Sequence, residues 1–286
     1  MSNLQGQFVI GDNVDIDFGQ HYIDGTRMGR GLVPRDYSAH PQGCYAAAPA
    51  WSIDDMPIIP MEEWPERIQA LEATKMRISD FIDRGNLGQP IPSYDQNGQG
   101  FCWTYSPTGC VTAMRAIQNM PYIRLSAHSV ACKIFNFQDR GAWSCLALDY
   151  IREHGIVPES LWPAKSMNRQ LDTPDNWKAA LDFRAAEGWM DLKPAAYDRD
   201  LSRLQVGTAL LNRWPICADY MHMGHAMCTV DLVDVYPNKR ATDFSRYGTK
   251  HWNSWTDRYG VRGFGIFKDS KAWPDGGAAI RSVVGG

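Results

Sequence analysis

Long apolar runs, a dominant charge and an even set of cysteines are all missing from this 286-residue chain. No stretch approaches the roughly 18 uninterrupted apolar residues a membrane-crossing helix requires, because Asp, Arg, Gln or Pro breaks every candidate. The chain therefore reads as not membrane-spanning. Lys and Arg number 29 against 32 Asp and Glu, a formal charge of −3, which argues against nucleic acid or an anionic membrane as the main partner. The first twenty residues contain no Lys or Arg, so no secretory signal is expected there. The seven cysteines (Cys44, Cys102, Cys110, Cys132, Cys145, Cys217 and Cys228) are an odd number, which fits a reducing compartment. What is present is an ordinary globular composition, 44% hydrophobic and 21% charged, enough for one large core or two lobes.

Period-two alternation on either side of Gly11-Asp12-Asn13 predicts a hairpin over 8–18, with the aspartates on solvated faces. From 19 to 61 the chain is rich in Gly, Pro and small residues and reads as an extended arm. A helix is expected near 62–84, where Ile68, Leu71, Ile78 and Ile82 make one apolar face. Further helices are expected over 102–120, 144–154, from Thr173 onward and over 198–212; strands are expected over 216–220, 226–235 and 263–267. Helices first and strands later imply an α+β chain: an arm (1–90), a helical lobe (91–195) and a strand lobe (196–286) with a cleft between the lobes.

The densest unusual segment is Asp95-Gln96-Asn97-Gly98-Gln99-Gly100-Phe101-Cys102-Trp103, a glycine-punctuated loop that delivers a cysteine to a helix start. The free N–H groups and positive dipole end of a helix stabilise a thiolate, which is the nucleophilic form of cysteine. Such a nucleophile needs an imidazole to take its proton and a third group to orient that ring. His225, in Met223-Gly224-His225-Ala226-Met227, and Asn253, in Asn253-Ser254-Trp255, are the candidates. Taken singly, each has a plainer reading as a buried thiol, a core histidine or a turn residue.

In their order and flanking residues these segments resemble the papain-like cysteine peptidases over roughly residues 91–268. Gln96 lies six residues before Cys102, with Gly100 and Trp103 in register; His225-Ala226-Met227 stands where the family has His-Ala-Val, and Asn253-Ser254-Trp255 matches unchanged. Tyr259-Gly260-Val261-Arg262-Gly263-Phe264 resembles the strand that follows. The resemblance implies a two-lobed α+β fold and hydrolysis of peptide bonds in peptide or protein substrates, with no cofactor and no metal. Cys102 would be the nucleophile and His225 its proton partner. Asn253 would orient the ring under the indole of Trp255, and Gln96 with the Cys102 N–H would form the oxyanion hole. Gly141, Ala142 and Trp143 would stand at the family's substrate-binding Gly-Gly.

The chain also departs from the pattern. Gln99 stands where the family has a disulfide cysteine, so that bridge cannot form; Pro107 should kink the helix that carries Cys102. A metal site built from Cys217, His222, His225 and Cys228 has poor spacing. The first ninety residues lack the family's long charged helical pro-segment. Their apolar residues Phe8, Ile10, Ile16 and Phe18 call for a surface, either the chain's own body or neighbouring subunits. The alternative reading is therefore a component of a large assembly, such as a virus particle, that carries a papain-like domain, with a cytoplasmic or intraparticle location.

Overall fold

Residues 4–14, 21–54, 56–185 and 188–284 are described by a computed structural model of the chain. In chain order the elements are β1 (Val9–Ile10), β2 (Tyr22–Ile23), β3 (Thr26–Arg27), α1 (Trp64–Thr74), α2 (Ile78–Ile82), α3 (Cys102–Ile117), α4 (Ala127–Ile134) and α5 (Ser144–His154). They continue with α6 (Pro174–Ala180), β4 (Trp189–Asp191), α7 (Arg199–Leu211), β5 (Ile216–Tyr220), β6 (His225–Asp234), β7 (Tyr247–Trp252), β8 (Phe264–Phe267) and β9 (Gly276–Ile280). The arrangement is α+β. Among the described residues, seven strands form one sheet in the order β1-β8-β7-β6-β5-β9-β4, antiparallel except where β1 runs parallel to β8. No helix among them is long and apolar enough to cross a membrane.

Local chemistry sets several boundaries. Thr173 and Asp198 cap α6 and α7 by accepting from the Asn176 and Leu201 amides, and α6 begins with Pro174, whose missing N–H costs nothing at a first turn. The central α3 is buried from Cys102 to Ala116 and packs on β6.

One expectation is corrected, and another falls partly outside the described residues. Val9–Ile10 joins the edge of the main sheet beside β8, while Asp15–Phe18 of the expected hairpin lies outside the described residues. The hairpin that is described is β2–β3, turning at Asp24-Gly25. The helix expected over 62–84 is two helices, because Lys75 takes the left-handed conformation (φ 55°) and a reciprocal Arg77–Asp80 cap starts α2 afresh. Pro107 lies inside α3, whose span continues to Ile117, and the Thr108 and Thr112 hydroxyls bond back to the Thr104 and Thr108 carbonyls.

Of the two surfaces open to the arm, its own chain supplies one: Ile10 and Trp64 are fully buried, and Phe8 meets Tyr259 edge-on at 5.4 Å. Ile16 and Phe18 lie outside the described residues. The strands β4, β7 and β9 escaped the sequence reading, and β4 lies within the segment expected to be helical.

Candidate active site

β6 and β7 are antiparallel neighbours with Cys228 opposite Trp252, so His225 at the start of β6 and Asn253 just after β7 share one end of the sheet. His225 Nε2 lies 2.8 Å from Asn253 Oδ1, and the imidazole packs on the indole of Trp255 with ring centres 4.5 Å apart. α3 brings Cys102 against this end from the other side, where it clusters with Ala226, Leu32 and Met221. Gln96 is held from behind: Ser254 Oγ donates to its Oε1 at 2.5 Å, which turns the amide NH2 toward the cleft. Tyr105 braces the same loop, its hydroxyl 3.2 Å from the Asp95 carbonyl and 2.9 Å from His128 Nδ1, and His128 Nε2 bonds Gln99 Oε1. This buried network anchors Gln99, the position whose cysteine ties the loop down in the resembled family.

The cleft is filled by the chain's own arm. Gln96 Nε2 and Trp255 Nε1 donate to the Gly29 carbonyl at 2.8 and 3.1 Å, and the Gly31 amide donates to Cys102 Sγ at 3.2 Å. Leu32 N–H bonds the Gly224 carbonyl at 3.3 Å. Ala142 then takes the arm as a parallel strand, accepting from Val33 N–H and donating to the Gly31 carbonyl, each at 2.9 Å. Trp143 Nε1 donates to Tyr45 Oη of the arm at 3.1 Å. Glycine is required for so close an approach: a Cβ on Gly29 or Gly31 would lie 2.0 or 1.8 Å from the carbonyl oxygen of Gln99 or Gly100.

Burial in the covered site works against the expected thiolate–imidazolium pair. Cys102 and His225 are fully buried; among the described residues His225 Nδ1 has no hydrogen-bond partner. Burial pushes the Cys102 thiol up to about 11, although the Ala226 and Gly31 amides pull the other way. Burial likewise takes His225 down to about 4, opposed by its bond to Asn253 and reinforced by the charge of Arg30. Burial thus disfavours the charged form of both groups while the arm is docked. Among the described residues no three His, Cys, Asp or Glu side chains form a metal-holding group.

Sequence reasoning identified the residues lining the cleft and missed its occupant and supports, namely Gly29, Gly31, Gly224, Ser254 and His128. Gly29-Arg30-Gly31 did carry a signal: two glycines one residue apart in extended chain bare the same edge of the backbone. In an arm with many small residues it did not stand out.

No family model matches the chain. Zingipain-1 of Zingiber officinale is 31% identical over 101 residues, covering 35% of this chain and 46% of that protein. Among solved structures, digestive procathepsin L 3 of the Tenebrio molitor larval midgut superposes with a TM-score of 0.52 at 17% identity, over 68% of this chain and 66% of that one. A structure from work on antibody cross-reactivity between the mite allergens Blo t 1 and Der p 1 gives 0.54 at 16% identity, over 87% and 78%. The chain spans less than half of the matched curated relative and just under two thirds of the procathepsin. At these identities the structural likeness shows the papain-like α+β fold.

Proposed function

We propose that this chain is a cysteine peptidase of the papain-like family, held latent by its own N-terminal arm; the partial likeness to zingipain-1 and the papain-like fold support the reading. The observation that carries the proposal is the arm itself. An extended backbone already lies in the cleft with one carbonyl on Gln96 and an amide on the Cys102 sulfur, which is how a site built to grip peptide backbone behaves.

Once the arm leaves, water and substrate replace it and the burial that keeps both groups neutral is relieved. His225 Nδ1 takes the proton from Cys102 Sγ, and the thiolate attacks the substrate carbonyl carbon. The C=O electron pair moves to oxygen, which the Gln96 NH2 and the Cys102 N–H receive, a contribution of about 3 to 4 kcal/mol in sites of this kind. Imidazolium then protonates the leaving amine, giving a thioester. Water loses a proton to His225, attacks that thioester and expels the Cys102 thiol. Asn253 accepts from His225 Nε2–H throughout, which leaves Nδ1 as the atom that moves protons.

While the arm is docked, the sulfur accepts from the Gly31 amide and its proton partner stands unbonded, so the covered chain is inert. Substituting Gly31→Val should dislodge the arm and release hydrolysis of unstructured peptides, abolished by Cys102→Ala. An unlatched protein whose Cys102 is freely alkylated yet cleaves no peptide would overturn the peptidase reading.

A further inference from the structure

Asn253 gives only one end of its amide to His225. Oδ1 lies 2.8 Å from His225 Nε2, while Nδ2 is buried and makes no hydrogen bond of good geometry among the described residues. That other end acts on the Tyr259 hydroxyl, easing down the proton affinity that burial raises. The backbone keeps the two residues together: the Asn253 amide donates to the Gly263 carbonyl at 2.8 Å, and the Gly263 amide donates to the Tyr259 carbonyl at 2.9 Å. Tyr259 is buried, its ring edge-on to Trp255 at 5.7 Å, and the same indole carries His225. Behind it stands His251 of β7, fully buried, with Nε2 2.9 Å from Tyr259 Oη. One position makes room for this pair. Gly265 lies opposite His251 in the β7–β8 register, and a Cβ there would stand 2.7 Å from His251 Nε2 and 3.2 Å from the Tyr259 ring.

We propose that Tyr259 and His251 are positioning residues for His225, extending its bond to Asn253 into a one-way chain of donors that ends on His251. The imidazolium Nε2–H donates to Asn253 Oδ1, Asn253 Nδ2–H donates to Tyr259 Oη, and the Tyr259 O–H donates to His251 Nε2. The direction depends on His251 staying neutral with its proton on Nδ1, since a charged ring would donate to Tyr259 and reverse the chain. Its surroundings keep it so. Burial holds His251 well below its ordinary value, and the charges of His225, His222 and Lys250 push the same way. Its other ring neighbours, Tyr220 and Phe267, bring no positive or negative charge near neutral pH. A chain that polarises along its length and ends on an acceptor favours the charged form of His225. It also fixes the amide, because a flipped Asn253 would set its NH2 against the His225 N–H.

The inference rests on the peptidase reading for the roles of Cys102 and His225, but its test needs no substrate. In full-length protein opened by Gly31→Val, Cys102 is labelled with iodoacetate from about pH 4 to about pH 9. The reagent is an anion, so its rate rises as the thiolate forms and falls again as His225 loses its proton; the upper edge of that window reads the proton affinity of His225. Tyr259→Phe should lower the upper edge by about one pH unit, an about tenfold loss of proton affinity, and Asn253→Ala should lower it at least as far. The two together should move it no further than Asn253→Ala alone, because Tyr259 acts through Asn253. His251→Gln, which keeps an acceptor for the Tyr259 hydroxyl, should stay nearer the parent edge than His251→Met. Should Tyr259→Phe not fold, Gly265→Ala, which crowds His251 Nε2, takes its place with the same expectation. A hydroxyl that only supports the fold would lower the urea midpoint and leave the edge where it is. An unmoved edge, full additivity with Asn253→Ala, or an opened protein with no upper edge each overturn the positioning roles. A shifted edge in a protein that cleaves no peptide sustains them and removes the peptidase reading.

Discussion

The Gly31 amide donates to the Cys102 sulfur at 3.2 Å, and the same glycine has no room for a Cβ against the Gly100 carbonyl. One residue therefore both covers the nucleophile and depends on being glycine. Gly31→Val should raise the rate of Cys102 alkylation by iodoacetamide near neutral pH at least about tenfold over wild type, because access is restored and the raised thiol pKa relaxes toward the free value of about 8.5. Peptide mass mapping after a timed pulse reads it; equal labelling of both proteins would remove the latch.

Gln96 acts on developing charge, not on the thiol. In the opened Gly31→Val protein, Gln96→Ala should lower kcat about 10²-fold to 10³-fold while leaving Cys102 alkylation unchanged. Parallel loss of labelling would mean that Gln96 only holds the loop together.

The Arg35–Asp191 pair ties the arm to β4 with both side chains almost fully buried. Arg35→Ala leaves a buried carboxylate with the Gly43 amide and should destabilise the chain by about 3 to 5 kcal/mol in urea unfolding, with earlier exposure of Cys102. Replacing both partners, Arg35→Met with Asp191→Asn, should recover much of that loss. An Arg35→Ala protein as stable as wild type would show that the pair contributes nothing to holding the arm.

Acid should loosen the covered state. His225 and His128 are both held down to about 4 by burial, and His251 lies well below its ordinary value. Between about pH 6.5 and 4 the unfolded chain binds protons at these rings that the folded chain does not, so stability falls as pH falls. A fully buried ring of this kind accounts for on the order of 3 kcal/mol across the window. Asp219, raised to about 6 by burial, works in the opposite direction, because there the folded form holds the extra proton. Burial raises Asp191 and Glu159 as well and lowers His21 and His222, so five rings stand against three carboxyls and the net sign is unchanged. Urea midpoints at about pH 7, 5.5 and 4.5 should decline in that order; a flat series would contradict the assignment of neutral buried histidines.

The spacing of Gln96 and Cys102, the helix that begins at Cys102, and the order of His225 before Asn253 are properties of the chain, legible because catalytic chemistry demands particular atoms at particular element ends. Helices α5, α6 and α7 were legible for a similar local reason: caps and stop residues such as Thr173, Asp198 and Gly155 act within a few residues. Strand β9 was not, because its pairing partners lie far away in sequence and Gly276–Ile280 owes its conformation to β5 and β4. Lys75 broke a helix that its apolar spacing favoured. Most of all, the destination of the arm was a tertiary decision. Nothing local to Gly29-Arg30-Gly31 specifies a cleft; that segment finds its place only because Gln96, Trp255, Ala142 and Gly224 turn unpaired backbone and side-chain hydrogen-bonding groups toward one groove, and a buried backbone must satisfy such groups wherever it lies.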